Sequence, residues 1–484
     1  MISMNIRHLT LVIFLQYIIS PLLSQEVYIG TTMGFTDYLE NKCNITFKEN
    51  NISIDPYTSI ATNGANIARL RIDLPPYKSS YSENKIVDYR SLENVKVGFT
   101  RAKNAGLKTL LTFSYESFAL EDEQKLNHYV APLAWQSIAD DLDKISDSVY
   151  SYTYKALDEY CKEGLIPEIV SIGNESSWHR LMPNIPENEL PDYNPERSVE
   201  LHNAGARAVR EIAAKYNTEI KVCFHMATPA TTKWWLETHW PYSPDFDIMG
   251  LSIYYGWYNG DYAGFSSLGD YIEGMRLEYG IDMMIMETAQ LFREGGNDNH
   301  VDILGIENIP LGYPNPPTFE TQQDYLVDIT REVLDNGGIG TIVWGGEWVG
   351  CDCYIYADQW GKGSSWENKA FWDFNYNLHG GIQWMQSIKD EYISNVNDEQ
   401  INASFRMYPN PLVDNVLIID NVPYQEFTIK IFDIFGNRIF NKYFVQHDLS
   451  PKELKLDIKN GVYFLSVISK NSNVDTYKIL KTDN

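Results

Sequence analysis

The chain has 484 residues, 44% of them hydrophobic, and a formal net charge of −26. The apolar share excludes a disordered chain, and the acidity excludes nucleic acid as a partner, since phosphate binding needs a basic surface. The charge also disfavours an anionic polymer and suits a neutral one, while 12 Trp and 33 Tyr offer flat apolar faces for stacking on pyranose rings.

Residues 1–24 read as a signal peptide, with Arg7 in a positive n-region, an apolar stretch over 9–23 broken by Gln16, Ser20 and Pro21, and the small Ser24 at the cleavage point. Beyond it no apolar run reaches the roughly 18 residues of a membrane span. From 25 to 390, short apolar runs alternate with helical spacing, the pattern of βα units on a parallel sheet. Strands are predicted at 27–33, 67–74, 107–115, 168–174, 220–225, 246–253, 283–287 and 339–344. Helical faces recur between them: Val95, Phe99 and Ala102 before Gly106; 147–161 before Gly164; Leu201, Ala204, Ala208 and Ile212; Leu326, Ile329 and Val333 before Gly337. Eight such units predict a (β/α)8 TIM barrel with long loops, a doubly wound open sheet being the alternative. Residues 391–403 read as a polar linker. Over 404–484 five short strands at 416–419, 427–432, 438–443, 454–458 and 462–468, separated by turns, predict a small all-β sandwich. Five cysteines, at 43, 161, 223, 351 and 353, are an odd number and predict buried thiols with at most one bridge.

Barrels of this class work at the carboxyl ends of their strands, and two predicted strands end in a glutamate. Glu175 closes Ile169-Val170-Ser171-Ile172-Gly173-Asn174, and Glu287 closes Met283-Met284-Ile285-Met286. A lone carboxylate after a strand is usually a cap or a solvated loop residue; two of them match the needs of glycoside hydrolysis. One carboxyl protonates the leaving oxygen, and the other attacks the anomeric carbon or activates water. Around them, Arg69 and Arg71 share parity on the second strand, so both are candidates to point into the barrel and hold the nucleophile ionised. Asn174 is a candidate for a sugar 2-hydroxyl. His225 and Tyr254 end strands five and six, and Trp257, Trp344, Trp348 and Trp366 are candidate stacking platforms. Each of these indoles has a core role as its simpler alternative.

At these motifs the chain resembles glycoside hydrolase family 53, the endo-β-1,4-galactanases of the large retaining clan of barrel glycosidases. Arg69-Leu70-Arg71, Ile172-Gly173-Asn174-Glu175, Phe246-Asp247-Ile248-Met249-Gly250-Leu251-Ser252 with Tyr254, Met286-Glu287-Thr288-Ala289 and Gly363-Ser364-Ser365-Trp366-Glu367-Asn368 carry the resemblance. It implies Glu175 as acid/base, Glu287 as nucleophile, β-1,4-galactan as the polysaccharide substrate and no cofactor needed for catalysis. Family members usually carry an Asp-Phe-His-Tyr-like run on strand three, where this chain has Thr112-Phe113-Ser114-Tyr115; that departure leaves the linkage and the sugar open. Bacterial members can hold a structural calcium in the loop after strand seven, which would fall on Asp298, His300 and Asp302 here.

The tail resembles a type IX secretion sorting domain of Bacteroidetes. Tyr408-Pro409-Asn410-Pro411, Asp433-Ile434-Phe435-Gly436-Asn437, Asn460-Gly461-Val462-Tyr463-Phe464 and Lys478-Ile479-Leu480-Lys481 carry that likeness. It implies contact with the secretion machinery and export across an outer membrane, to the medium or the cell surface. A carbohydrate-binding module is the competing reading. The enzyme is expected to be a monomer.

Overall fold

The computed structural model describes residues 26–393 except 75–89, 116, 123–124, 133, 177–180, 182–193, 259 and 354–361, and residues 406–482 except 409–411, 413–414, 421, 423–425, 434–437, 446–450, 457 and 470–473. The signal peptide, most of the linker and parts of two tail motifs lie outside the described residues. The chain forms two compact units that divide between Lys389 and Asp390.

The first unit is a closed barrel of eight parallel strands: β1 (Tyr28–Thr32), β2 (Ile67–Asp73), β3 (Lys108–Ser114), β4 (Ile169–Ile172), β5 (Lys221–Met226), β6 (Ile248–Ile253), β7 (Asp282–Thr288) and β8 (Gly340–Val343). The first and last strands pair, Tyr28 opposite Gly340 and Thr31 opposite Val343, which rules out the open-sheet alternative. Gly340 has φ +152°, and a Cβ there would meet the Tyr28 carbonyl oxygen at 2.0 Å, so the seam closes only on glycine. Each strand sends at least one apolar side chain into a shared core cluster, among them Tyr28, Ile67, Leu110, Ile169, Cys223, Ile248, Met284 and Ile342. Burying each such side chain contributes about 1.5–3 kcal/mol.

Helices α1 (Pro56–Thr62), α2 (Leu92–Asn104), α3 (Leu142–Lys162), α4 (Pro195–Tyr216), α5 (Pro229–His239), α6 (Leu268–Tyr279), α7 (Phe319–Asp335) and α8 (Trp384–Ile388) follow the strands in turn. The first seven start on Asp55, Ser91, Asp141, Asn194, Thr228, Ser267 and Thr318, whose side chains accept a first-turn amide. Such caps satisfy amides that the helix itself cannot. Helix α3 begins five residues before the predicted 147, because Asp141 supplies the cap. Sequence reasoning passed over a hairpin after β3, strands Ser117–Asp122 and Lys125–Val130. One disulfide, Cys43–Cys353, ties the loop after β1 to the loop after β8; Cys161, Cys223 and Cys351 are buried thiols.

The second unit holds β9 (Arg406–Tyr408), β10 (Val416–Asp420), β11 (Glu426–Asp433), β12 (Arg438–Val445), β13 (Lys452–Lys455), β14 (Gly461–Ser469) and β15 (Val474–Lys481). They form a three-stranded sheet, β9-β10-β13, and a four-stranded sheet, β12-β11-β14-β15. Leu417, Ile419 and Leu454 of one sheet share a core with Phe427, Ile429, Ile431 and Leu465 of the other, giving the predicted all-β sandwich. Alternate burial along β10 and β11 follows the two-residue strand period. Strands β9 and β15 went unpredicted. Among the described residues no helix is long and apolar enough to cross a membrane.

Candidate active site

Strand β4 ends in a turn that only a particular sequence permits. Gly173 has φ +86°, and a Cβ there would meet the Ser176 hydroxyl at 2.1 Å. Glu175 has φ +50°, a left-handed conformation that costs a non-glycine residue on the order of 1–3 kcal/mol. Backbone bonds hold the turn on both sides: Gly173 N–H donates to Phe113 O on β3, and Ser176 N–H to His225 O on β5, each at 2.9 Å. The outcome is a glutamate aimed over the barrel mouth.

Across the mouth, Glu287 on β7 is 6% exposed and both its oxygens are engaged. Arg69 of β2, fully buried, donates from Nη1 to Glu287 Oε1 at 2.6 Å, and Tyr254 Oη donates to Oε2 at 3.1 Å. The same guanidinium donates from Nε to Thr112 Oγ1 at 3.1 Å and from Nη2 to Asn174 Oδ1 at 2.5 Å. One rigid cation thus fixes residues of β3, β7 and the turn after β4 together. Burial, then the charge of Glu287, raises the Tyr254 phenol far above its ordinary range, so it stays a neutral donor.

Glu175 meets a different setting. Its Oε1 accepts a bond from Ser252 Oγ at 2.5 Å, and Ser252 Oγ lies 3.0 Å from His225 Nε2. Since the hydroxyl proton goes to Glu175, the imidazole is the donor to Ser252. Burial first, then Arg69 and Arg71, keep His225 well below its ordinary pKa and hence neutral. Burial first, then the charge of Glu287, push the Glu175 carboxyl up to about 7, against Ser252, Arg69 and Arg71. One carboxyl is therefore poised to hold a proton while the other lies against an arginine.

Several expectations need correction. Arg71 does not join Arg69 at Glu287: its Nε donates to Asp73 at 2.7 Å and its Nη2 to Ser114 at 2.9 Å, while Arg90 binds the other Asp73 oxygen at 2.8 Å. Burial raises the Asp73 carboxyl, yet the two guanidinium charges outweigh it and hold the group below its ordinary value. His225 is fully buried and reaches Glu175 only through Ser252, so it cannot face a sugar directly. Trp348 is core, fully buried and edge-on to Phe35 at 4.5 Å. Of the other indoles, Trp257 is 42% exposed and packs on Tyr254 at 4.6 Å; Trp366 and Trp344 are buried, and Trp344 sits 5.6 Å from the Arg69 guanidinium. Sequence reasoning missed Ser252. Its parity with Tyr254, at the end of an otherwise apolar strand, was the available signal.

In the loop after β7, Asp298 bridges backbone. Its Oδ1 accepts from His300 N–H at 2.7 Å, and its Oδ2 from Ser364 N–H at 2.7 Å and Cys351 N–H at 3.3 Å. Glu367 Oε1 accepts the amides of Asn297 and Asp298 at 2.7 and 3.0 Å. Asp302 Oδ1 and His300 Nε2 are buried without a hydrogen-bond partner. Among the described residues, the one group of His, Cys, Asp or Glu whose ligand atoms all lie within 4.8 Å is Cys43, Cys351 and Cys353, two of which form the disulfide. Among the described residues, the side-chain ligand atoms of Asp298, His300 and Asp302 do not all lie within 4.8 Å of one another.

The glycosyl hydrolase family 53 profile matches residues 28–385, most of the chain and all of the barrel. The chain belongs to that family. It is similar to an arabinogalactan endo-β-1,4-galactanase of Cellvibrio japonicus, 30% identical over 348 residues, covering 72% of this chain and 86% of the relative. An endo-β-1,4-galactanase of Bacillus subtilis is 24% identical over 397 residues, covering 75% of this chain and 86% of the relative. A family 53 catalytic domain from Ignisphaera aggregans superposes with a TM-score of 0.60 at 22% identity, over 76% of this chain and 97% of its own, which shows the shared fold. This family 53 member is a glycoside hydrolase. Residues 406–482 match the secretion system C-terminal sorting domain, which marks the enzyme for export by the type IX route.

Proposed function

We propose that the enzyme is a retaining endo-β-1,4-galactanase in which Glu175 is the acid/base and Glu287 the nucleophile. The observation that carries this reading is the contrast between the two carboxyls: Glu287 bound by Arg69 and Tyr254, Glu175 raised to about 7. Glu287 attacks the anomeric carbon while Glu175 gives its proton to the departing glycosidic oxygen. Once the covalent glycosyl ester has formed, Glu175, now ionised, takes a proton from water as it attacks, and Glu287 leaves. The configuration at the anomeric carbon is retained. Arg69 and Tyr254 lower the free energy of the anionic Glu287 and orient it. Asn174, held by Arg69, is positioned for the sugar 2-hydroxyl, and Trp257, Trp344 and Trp366 offer apolar faces to the ring. Trp257, the exposed indole, would meet the polymer first.

The substrate follows the relatives, which are named for β-1,4-galactan cleavage. The net charge of −26 supports a neutral polymer. The enzyme acts as a monomer outside the cell after its sorting domain engages the secretion machinery. Lupin or potato galactan, offered beside β-glucan and β-mannan, is expected to release reducing ends fastest, with the β anomer appearing first by NMR. A preference for β-glucan or β-mannan, or an initial α anomer, would overturn the reading.

A further inference from the structure

Lys369 is a lysine with 0% exposure that the reaction as derived does not use. It ends the 3₁₀ turn Glu367–Lys369, directly after Trp366. Its Nζ donates to the carbonyl of Trp344 and lies 4.7 Å from the Trp366 ring centre. A Cβ on Gly345 would sit 2.9 Å from that Nζ, so the glycine with φ +59° makes room for the ammonium. Two carboxylates act on its charge: Glu347, also fully buried, and Glu287. Glu347 Oε1 accepts the Phe35 amide at 3.1 Å, and its Oε2 is buried without a hydrogen-bond partner.

A buried cation needs a reason, because taking an ammonium out of water is costly unless opposite charge and acceptors replace the lost solvent. Burial pulls the Lys369 ammonium down to about 7 and pushes the Glu347 carboxyl up to about 7. Lys369 thus holds the root of the loop that carries Trp344 and Glu347, and it sits against the ring of Trp366. We propose that Lys369 is a positioning residue of the reaction: it pins the Trp344 backbone and backs the Trp366 ring at the sugar site, and its positive charge adds to that of Arg69 in the field at Glu287. The inference rests on Glu287 being the nucleophile. The charged or titratable groups that face Glu287 are then Arg69, Glu175, Tyr254 and Lys369. Arg69 binds the carboxylate directly, and Lys369 acts through its charge alone.

The test uses the full secreted chain with Lys369→Met and Lys369→Gln. The Met variant loses both the donor and the charge; the Gln variant keeps a donor for the Trp344 carbonyl and loses only the charge. In Lys369→Met, kcat on galactan is expected to fall about tenfold with little change in KM. The acid limb of kcat/KM should move up, because a positive charge that acts on the nucleophile is lost. Lys369→Gln should recover part of kcat and keep the displaced acid limb. Packing alone would not move that limb. A folded Lys369→Met enzyme with wild-type kcat and acid limb would overturn the proposal. If the Met variant does not fold, an unmoved acid limb in Lys369→Gln does the same. Labelling with a 2-deoxy-2-fluoro-galactoside and peptide mapping separates the two claims. Label on a residue other than Glu287 sinks the nucleophile assignment. Label on Glu287 at equal rates in wild type and both variants, with the acid limb unmoved, sinks only the role of Lys369.

Discussion

Acidic side chains cluster in two partly buried regions of the barrel unit, and different means keep them in check. At the mouth, Glu287 lies against Arg69 and Tyr254, while burial and then the Glu287 charge raise Glu175. In the loop after β7, backbone amides take that part: Asp298 and Glu367 each accept two or more. Burial and mutual repulsion leave Asp302 raised to about 6 and Glu367 to about 7, with His300 as a weak counter-charge. A cation lets neighbouring carboxyls take opposite protonation states and do chemistry. Amides alone make a fastening that holds best with its protons on.

The sharpest way to break this comparison is to remove the charge that Arg69 faces. Glu287→Gln is expected to lower kcat on galactan by about 10⁴-fold, and unchanged sugar release would end its assigned role. Arg69→Leu leaves Glu287 buried and unpaired, which costs about 3–5 kcal/mol when one partner of a buried pair is lost; a melting temperature at the wild-type value would refute the pairing. The state of Glu175 sets a pH effect. It must be protonated to act as acid, so kcat/KM should fall as pH rises through about 7. Ser252→Ala removes a bond that favours the ionised form, and the alkaline limb should move upward. A downward shift would contradict the geometry.

The loop gives smaller effects. Its raised carboxyls hold protons more tightly folded than unfolded. Their stabilising share is therefore full below about pH 4 and is lost as pH rises through about 6 and 7. Glu367→Gln keeps an acceptor for both amides without the charge, so it should raise the melting temperature at pH 8 and scarcely at pH 5. Equal gains at both values would show that charge is not what loosens the loop. Smallest of all, EDTA should leave the melting temperature unchanged; a clear drop would mean that a cation settles in this loop after all.

Much of the mouth was legible because both glutamates follow apolar strand runs that end at the barrel's working face. What stayed hidden depends on three-dimensional neighbours. Parity put Arg69 and Arg71 together, yet only Arg69 lies deep enough to reach Glu287; Asp73, two residues on, captures Arg71 near the rim. Lys369 and Glu347 fall outside the predicted strands and helices, and nothing in their local pattern says that both are buried. Trp348 and Trp366 are indistinguishable by residue type, and only packing makes the former a wall of the core. In the tail, β9 and β15 were overlooked, the first being three residues long and the second mixing polar and charged residues along its length.

The bridge between Cys43 and Cys353 spans 310 residues and joins the flanks of the first and last strands, which meet only when the cylinder shuts. A protease that nicks any loop between those positions opens the covalent ring but leaves both fragments joined through the bridge, still clasped at the seam. For an enzyme exported to digest polymers outside the cell, where oxidised thiols endure, such a wound need not separate the halves of the site.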